Sequence, residues 1–200
     1  MSSPAFDHLC ACDEVLSAVL KRIGPLEESA RSTDPFASLC GIIIGQQLSV
    51  ASARAIKNRF HTHFGDAPCA SEVLSMNDET AKSLGLSSQK AGYIKNLAGH
   101  IADGQLEIEK LETLSDDEIK REIVAVKGLG EWSADIFLLF HLNRPDVLPL
   151  GDLGVREAMR RLYALGERPT RDEMERLSAP WRPFRSLASR YLWRFLDEAK

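Results

Sequence analysis

Residues 124–152 read VAVKGLGEWSADIFLLFHLNRPDVLPLGD, and they limit the fold more than any other stretch of the chain. A Gly-Leu-Gly turn, Gly128 to Gly130, separates two apolar helical segments. The second segment carries Trp132 and is apolar almost throughout. It runs into a loop marked by Pro145, Pro149 and Gly151, and the loop ends on a single carboxylate, Asp152, at the start of a further helix. Helices joined by so short a connection must pack back on one another as a hairpin.

The rest of the chain has the period of helices and no strand alternation of useful length. One helix is expected from Phe6 to Lys21, with Leu9, Val15, Leu16, Val19 and Leu20 as its apolar positions and Gly24-Pro25 as its stop. Asp34-Pro35 starts another, on which Phe36, Leu39, Cys40, Ile43 and Ile44 form a stripe. That stripe ends at Gln46-Gln47-Leu48. Ser49 then caps a helix from about Val50 to Phe64, closed by Gly65. Residues 66–86 read as short turns and caps. Ser87 or Ser88 opens a helix through Ile101, and one from Leu153 to about Leu165 follows Asp152. Ser115 with Glu118, and Thr170 with Glu173, are capping boxes. The last helix runs from Pro183 to the end. The expected class is all-α, with nine to ten helices, and 200 residues suit one large domain or two small lobes sharing a cleft.

The net charge of −4 argues against tight nonspecific binding of nucleic acid. The charge is unevenly placed, however. From residue 144 on there are 12 Lys and Arg against 9 Asp and Glu, which leaves 13 against 20 in residues 1–143. A local basic face is compatible with that. The four cysteines include no C-x-x-C pair, and His61-Thr62-His63 has no evident third ligand. Structural thiols in a reducing, cytoplasmic setting are expected. No run approaches about 18 apolar residues, so no membrane partner is expected. The start, MSSPAFDHLCACDE, lacks the basic and apolar regions of a signal peptide.

The glycine turn admits two readings. Glycine takes positive φ and lets a backbone approach a phosphate closely, while the first amides of the following helix favour an anion. On that reading Gly128, Gly130 and Ser133 contact phosphate. The carbonyls of Val124, Val126 and Leu129 can then hold a monovalent cation, Na+ or K+. The same turn also serves a plain helical hairpin. Asp152 is equally open between an ordinary N-cap and a reacting carboxylate. On the last helix Phe184, Leu187, Ala188, Tyr191, Leu192, Phe195 and Leu196 form the core stripe. Trp193 falls on the opposite side with Ser186 and Ser189, so it either packs on a second neighbour or lines a cleft. Arg182, Arg185 and Arg190 lie near it, to contact phosphate or to hold the Asp152 loop.

VKGLGEWSADIF followed by LPLGDLGV resembles the helix-hairpin-helix plus Gly/Pro-Asp superfamily of DNA glycosylases. Within it the chain is similar to the compact form of the 3-methyladenine DNA glycosylase II, or alkylpurine, branch. IIIGQQLSV (42–50), LSSQKAGYIKNLA (86–98) and WRPFRSLASRYLW (181–193) match the same branch, so the likeness covers about residues 34–196. The resemblance implies two helical lobes with an active-site cleft between them and the hairpin at about residues 116–140. It also implies a base-excision repair enzyme that flips an alkylated purine from double-stranded DNA and hydrolyses its N-glycosidic bond, acting as a monomer. Asp152 takes the place of the catalytic aspartate. Trp132, Trp193, Ile136, Asp135 and Phe36 are the implied base pocket, with Ile136 where some relatives have a stacking tyrosine. Gln47, or next Leu48, takes the place of the wedge that fills the gap in the base stack. Bifunctional relatives carry a Schiff-base lysine where this chain has Trp132, which implies a monofunctional enzyme. No cysteine follows Cys69, so no iron–sulfur cluster and no required cofactor are expected. A non-catalytic DNA-binding module and a glycosylase for another damaged base are the alternatives.

Overall fold

Side-chain caps set where most of the helices begin. In the computed structural model, which describes residues 3–26 and 34–198, the described residues form twelve α-helices and two 3-10 segments, with no strand. The chain opens with α1 (Pro4–Cys12) and α2 (Glu14–Ile23), and continues through α3 (Pro35–Gly45), α4 (Val50–Phe64), α5 (Ala70–Leu74), α6 (Asp78–Leu84) and α7 (Ser88–Ala102). After a 3-10 segment, Ile108–Thr113, come α8 (Asp116–Ala125) and α9 (Glu131–Phe140). Then follow α10 (Leu153–Leu162), α11 (Arg171–Ser178), the 3-10 segment Ala179–Trp181 and α12 (Arg185–Glu198). Both capping boxes are formed, and Asp34, Ser49, Ser87 and Asp152 each accept a backbone amide at a helix start, as the sequence suggests.

The single helix expected over Phe6–Lys21 is two helices, because Asp13 breaks it. Its Oδ1 caps α2 by accepting the Leu16 amide at 2.9 Å. Its Oδ2 accepts the Trp181 indole N–H at 2.8 Å and the Tyr163 hydroxyl. Burial pushes the Tyr163 hydroxyl well above its usual range, which keeps it a donor. The turns expected over 66–86 contain two short helices, α5 and α6, so the described residues form twelve helices where nine or ten are expected. α12 starts two residues after Pro183, behind a fully buried Trp181.

The chain divides into two compact units, Met1–Ala30 with Asn143–Lys200, and Arg31–Leu142. The first packs α1, α2, α10 and α12 around Leu9, Leu16, Leu20, Met159, Trp181 and Tyr191. The second is built on α3, which is apolar on every side and therefore central. Phe36, Ala37 and every residue from Leu39 to Ile44 on it are buried, against α4, α7 and α9.

Candidate active site and nucleic-acid interface

In the second unit α8 and α9 form the hairpin. Lys120 of α8 pairs with Asp135 of α9 at 2.7 Å and ties the two helices together. Between them Gly128 has φ +105°, and a methyl group there would overlap the Tyr93 ring, so both conformation and space require glycine. Gly130 differs: its φ is −125° and nothing lies within 4 Å of a Cβ placed on it. It is the N-cap of α9 and puts no side chain on the first-turn amides, where the positive end of the helix dipole lies. Ser133 is 2% exposed, with its hydroxyl 3.4 Å from Gln46 Nε2, while the same Nε2 donates to the Gly128 carbonyl at 2.9 Å. The buried Ser133 hydroxyl thus accepts from the same Gln46 amide group that holds the Gly128 carbonyl, and the Ser133 backbone amide lies in the first turn of α9.

The Gln46–Leu48 corner follows the end of α3. Lys90 of α7 donates to the carbonyls of Ile44 and Gln46, both at 2.8 Å, and so holds the C-terminal end of that helix. Gln47 is exposed with φ +56°, Leu48 is 39% exposed and Val50 is 74% exposed. Between corner and hairpin lies an open groove of about 330 Å³, lined by Gln46, Gln47, Lys90, Tyr93, Gly128 and Gly130 among others. On α9 Trp132 and Ile136 are half-buried and one turn apart. Two residues placed in the base pocket by resemblance have other work. Asp135 is 5% exposed and bound to Lys120, and Phe36 is 5% exposed in the core stripe of α3.

In the first unit the loop to Asp152 is fastened along one face of α12. Ser186 Oγ accepts the Val147 amide at 2.9 Å and donates to the Arg144 carbonyl, while the Ser186 amide donates to Pro145 O at 3.1 Å. Arg185 Nε reaches Asp146 Oδ1 at 2.7 Å, its Nη2 reaches Asp146 O at 2.9 Å, and its Nη1 reaches Glu175 at 3.0 Å. Arg182 also pairs with Asp146. Of the two roles the sequence left open for Arg182 and Arg185, the structure gives them the loop. Two turns along the same face, Trp193 Nε1 donates to Asp152 Oδ1 at 2.9 Å. That oxygen also accepts the Val155 amide at 2.8 Å as the cap of α10. The indole otherwise packs on the core of its unit. The non-core stripe of Ser186, Ser189 and Trp193 is therefore the loop-binding face. Asp146 and Gly154 were not picked out by sequence, although Gly154, two residues past the carboxylate, is the visible signal.

The sequence matches the HhH-GPD superfamily of base excision DNA repair proteins over residues 40–183, and the chain belongs to that superfamily. It is 32% identical over 192 residues to DNA-3-methyladenine glycosylase 1 of Schizosaccharomyces pombe, covering 94% of this chain and 84% of that protein. It is 29% identical over 174 residues to a DNA-3-methyladenine glycosylase of Bacillus subtilis, covering 82% of this chain but only 57% of that relative's length. A solved structure of the S. pombe 3-methyladenine DNA glycosylase in complex with abasic DNA is similar to this fold with a TM-score of 0.87. There the identity is 32% and the match covers 96% of each chain.

Proposed function

We infer that this protein is a monofunctional DNA glycosylase that removes alkylated purines of the 3-methyladenine or 7-methylguanine type from double-stranded DNA. The observation that carries the reading is Asp152, the carboxylate of the family motif, fixed at one oxygen by donors from two helices. As the N-glycosidic bond breaks, its electron pair goes to the base. A purine alkylated at N3 or N7 already carries positive charge and leaves neutral, so little acid help is needed. The positive charge passes to the deoxyribose, where the Asp152 carboxylate stabilises it. Water then adds to the anomeric carbon and gives up a proton, which Asp152 can accept.

The other residues serve recognition. Trp132 and Ile136 offer aromatic and apolar surface to an electron-poor base. Gln47, with Leu48 beside it, enters the stack where the base has left. The amides after Gly130 receive a phosphate. A monovalent cation fits the carbonyls of Val124, Val126 and Leu129. Val124 stands in the last turn of α8, where carbonyls lack helical donors, and the Val126 carbonyl accepts the Leu129 amide at 3.0 Å, which leaves an oxygen lone pair for a cation. Bound there, the cation would add positive charge beside the phosphate. Among the described residues no helix is long and apolar enough to cross a membrane, and we place the protein with its DNA, as a monomer in the cytoplasm.

Base release from methylated duplex DNA, with strand nicking scored in parallel, tests the reading. Wild-type protein should release alkylated purine and leave intact abasic strands. Asp152→Asn keeps a cap for α10. It should melt like wild type and bind abasic-site DNA, yet lose about 10³-fold in excision. Excision at the wild-type rate in that variant would remove Asp152 from the chemistry, and nicking without base or heat would contradict the monofunctional assignment.

A further inference from the structure

We propose that Trp193 is a positioning residue for the Asp152 carboxylate, acting through its indole N–H, and that residue 154 is glycine to let that hydrogen bond form. The proposal rests on Asp152 being the reacting group. An aspartate at a helix N-cap needs one donor, and Asp152 has it in the Val155 amide, 2.8 Å from Oδ1. That bond ties the carboxylate only to its own helix. The Trp193 N–H reaches the same oxygen at 2.9 Å from α12, 41 residues further along the chain. Donors from two separate helices on one oxygen fix the plane of the carboxylate as well as its place. The bond also extends the face of α12 on which Arg185 and Ser186 already hold the preceding loop, so loop and side chain are set by a single helix.

Gly154 is an independent witness. It lies in the first turn of α10 and its φ is outside the left-handed region, so backbone conformation gives no reason for glycine. Glycine costs a helix about 1 kcal/mol relative to alanine. Space gives the reason. A Cβ there would stand 3.0 Å from Asp152 Oδ1, 3.2 Å from Trp193 Cδ1 and 3.3 Å from Trp193 Nε1. A single methyl would press on both partners of the hydrogen bond at once. A carboxylate held in this way does not have to reorient while charge develops on the sugar. Stacking on a base would use the face of the indole; positioning uses its edge, and the two are separable by substitution.

The experiment uses the full chain and replaces Trp193 with β-(3-benzothienyl)alanine, in which sulfur stands for the N–H and ring size is kept. Trp193→Phe and Gly154→Ala run beside it. Single-turnover excision from methylated duplex should fall about ten- to a hundredfold in all three. Affinity for abasic-site duplex should stay within about twofold in the isostere. In ¹H–¹⁵N spectra the indole signal of Trp193 should move in Asp152→Asn while that of Trp181, bound to Asp13, stays. An isostere with the wild-type rate, beside an inactive Asp152→Asn, overturns the proposal alone. So does an isostere whose loss is all in affinity, which would assign the ring to stacking. Excision surviving in Asp152→Asn overturns the underlying reading instead.

Discussion

The loop that delivers Asp152 and the corner at Gln46–Leu48 both connect helices, yet their side chains are used differently. In the loop, side chains of α12 bind the backbone of 144–147, and a further one binds the Asp152 carboxylate itself. In the corner, Lys90 holds the carbonyls of Ile44 and Gln46, and the Gln46 side chain reaches the Gly128 carbonyl of the hairpin, while Gln47, Leu48 and Val50 are exposed. The first arrangement fixes a functional group. The second fixes a backbone and leaves its side chains accessible. Chemistry that depends on an aimed charge calls for the former, and contact with a deformable duplex tolerates the latter.

The contrast should break most visibly at Arg185. Its side chain is 9% exposed, and its partners Asp146 and Glu175 are 23% and 45% exposed, so solvent screens part of the pairing. Arg185→Ala should cost about 2–3 kcal/mol by urea unfolding, at the lower end for a buried pair because of that screening. Single-turnover excision should fall further than affinity for abasic DNA. A loss below about 1 kcal/mol, or excision that simply tracks affinity, would mean that the loop holds itself.

The hairpin sharpens the comparison through its two glycines. Gly128→Ala meets both a φ of +105° and the Tyr93 ring. It should destabilise by at least about 1–2 kcal/mol, with weaker DNA binding. Gly130→Ala meets neither obstacle and should leave stability within about 0.5 kcal/mol. If Gly130→Ala still weakens binding to duplex DNA, that glycine is there for the phosphate. Equal melting points for the two variants would refute this division of roles.

Much of this was legible from residues alone, and what was missed has a common cause. The capping boxes at Ser115 and Thr170 are local chemistry and were readable in full. The break at Asp13 was not, because its partners Tyr163 and Trp181 lie 150 and 168 residues away. The second stripe of α12 was visible as a period of three to four, with Trp193 off the core. Its occupant was not, since nothing in a sequence says which loop lies against a helix. Only the family resemblance puts Asp135 and Phe36 in the pocket; the ion-pair partner Lys120 of Asp135 lies 15 residues upstream on another helix, and the burial of Phe36 agrees with its place on the α3 stripe.

The smallest expected effect is at Gln47, and it has the opposite sign in stability. A side chain at φ +56° costs about 1–2 kcal/mol relative to the right-handed region, and glycine avoids that cost. Glycine also loses more chain entropy on folding, about 0.5–1 kcal/mol. Gln47→Gly should therefore be neutral to about 1 kcal/mol more stable, and its gain should appear as a higher urea midpoint. The same change removes the side chain proposed to enter the base stack, so excision from duplex DNA should fall while excision from a substrate with an unpaired lesion falls less. A gain in stability together with a loss of excision would mean that glutamine stands at this strained, exposed position for an interaction outside the folded chain. If Gln47→Gly is destabilised, the left-handed residue is held by contacts within the fold. If excision is unchanged on both substrates, Leu48 becomes the wedge, since it is the next exposed side chain of the corner.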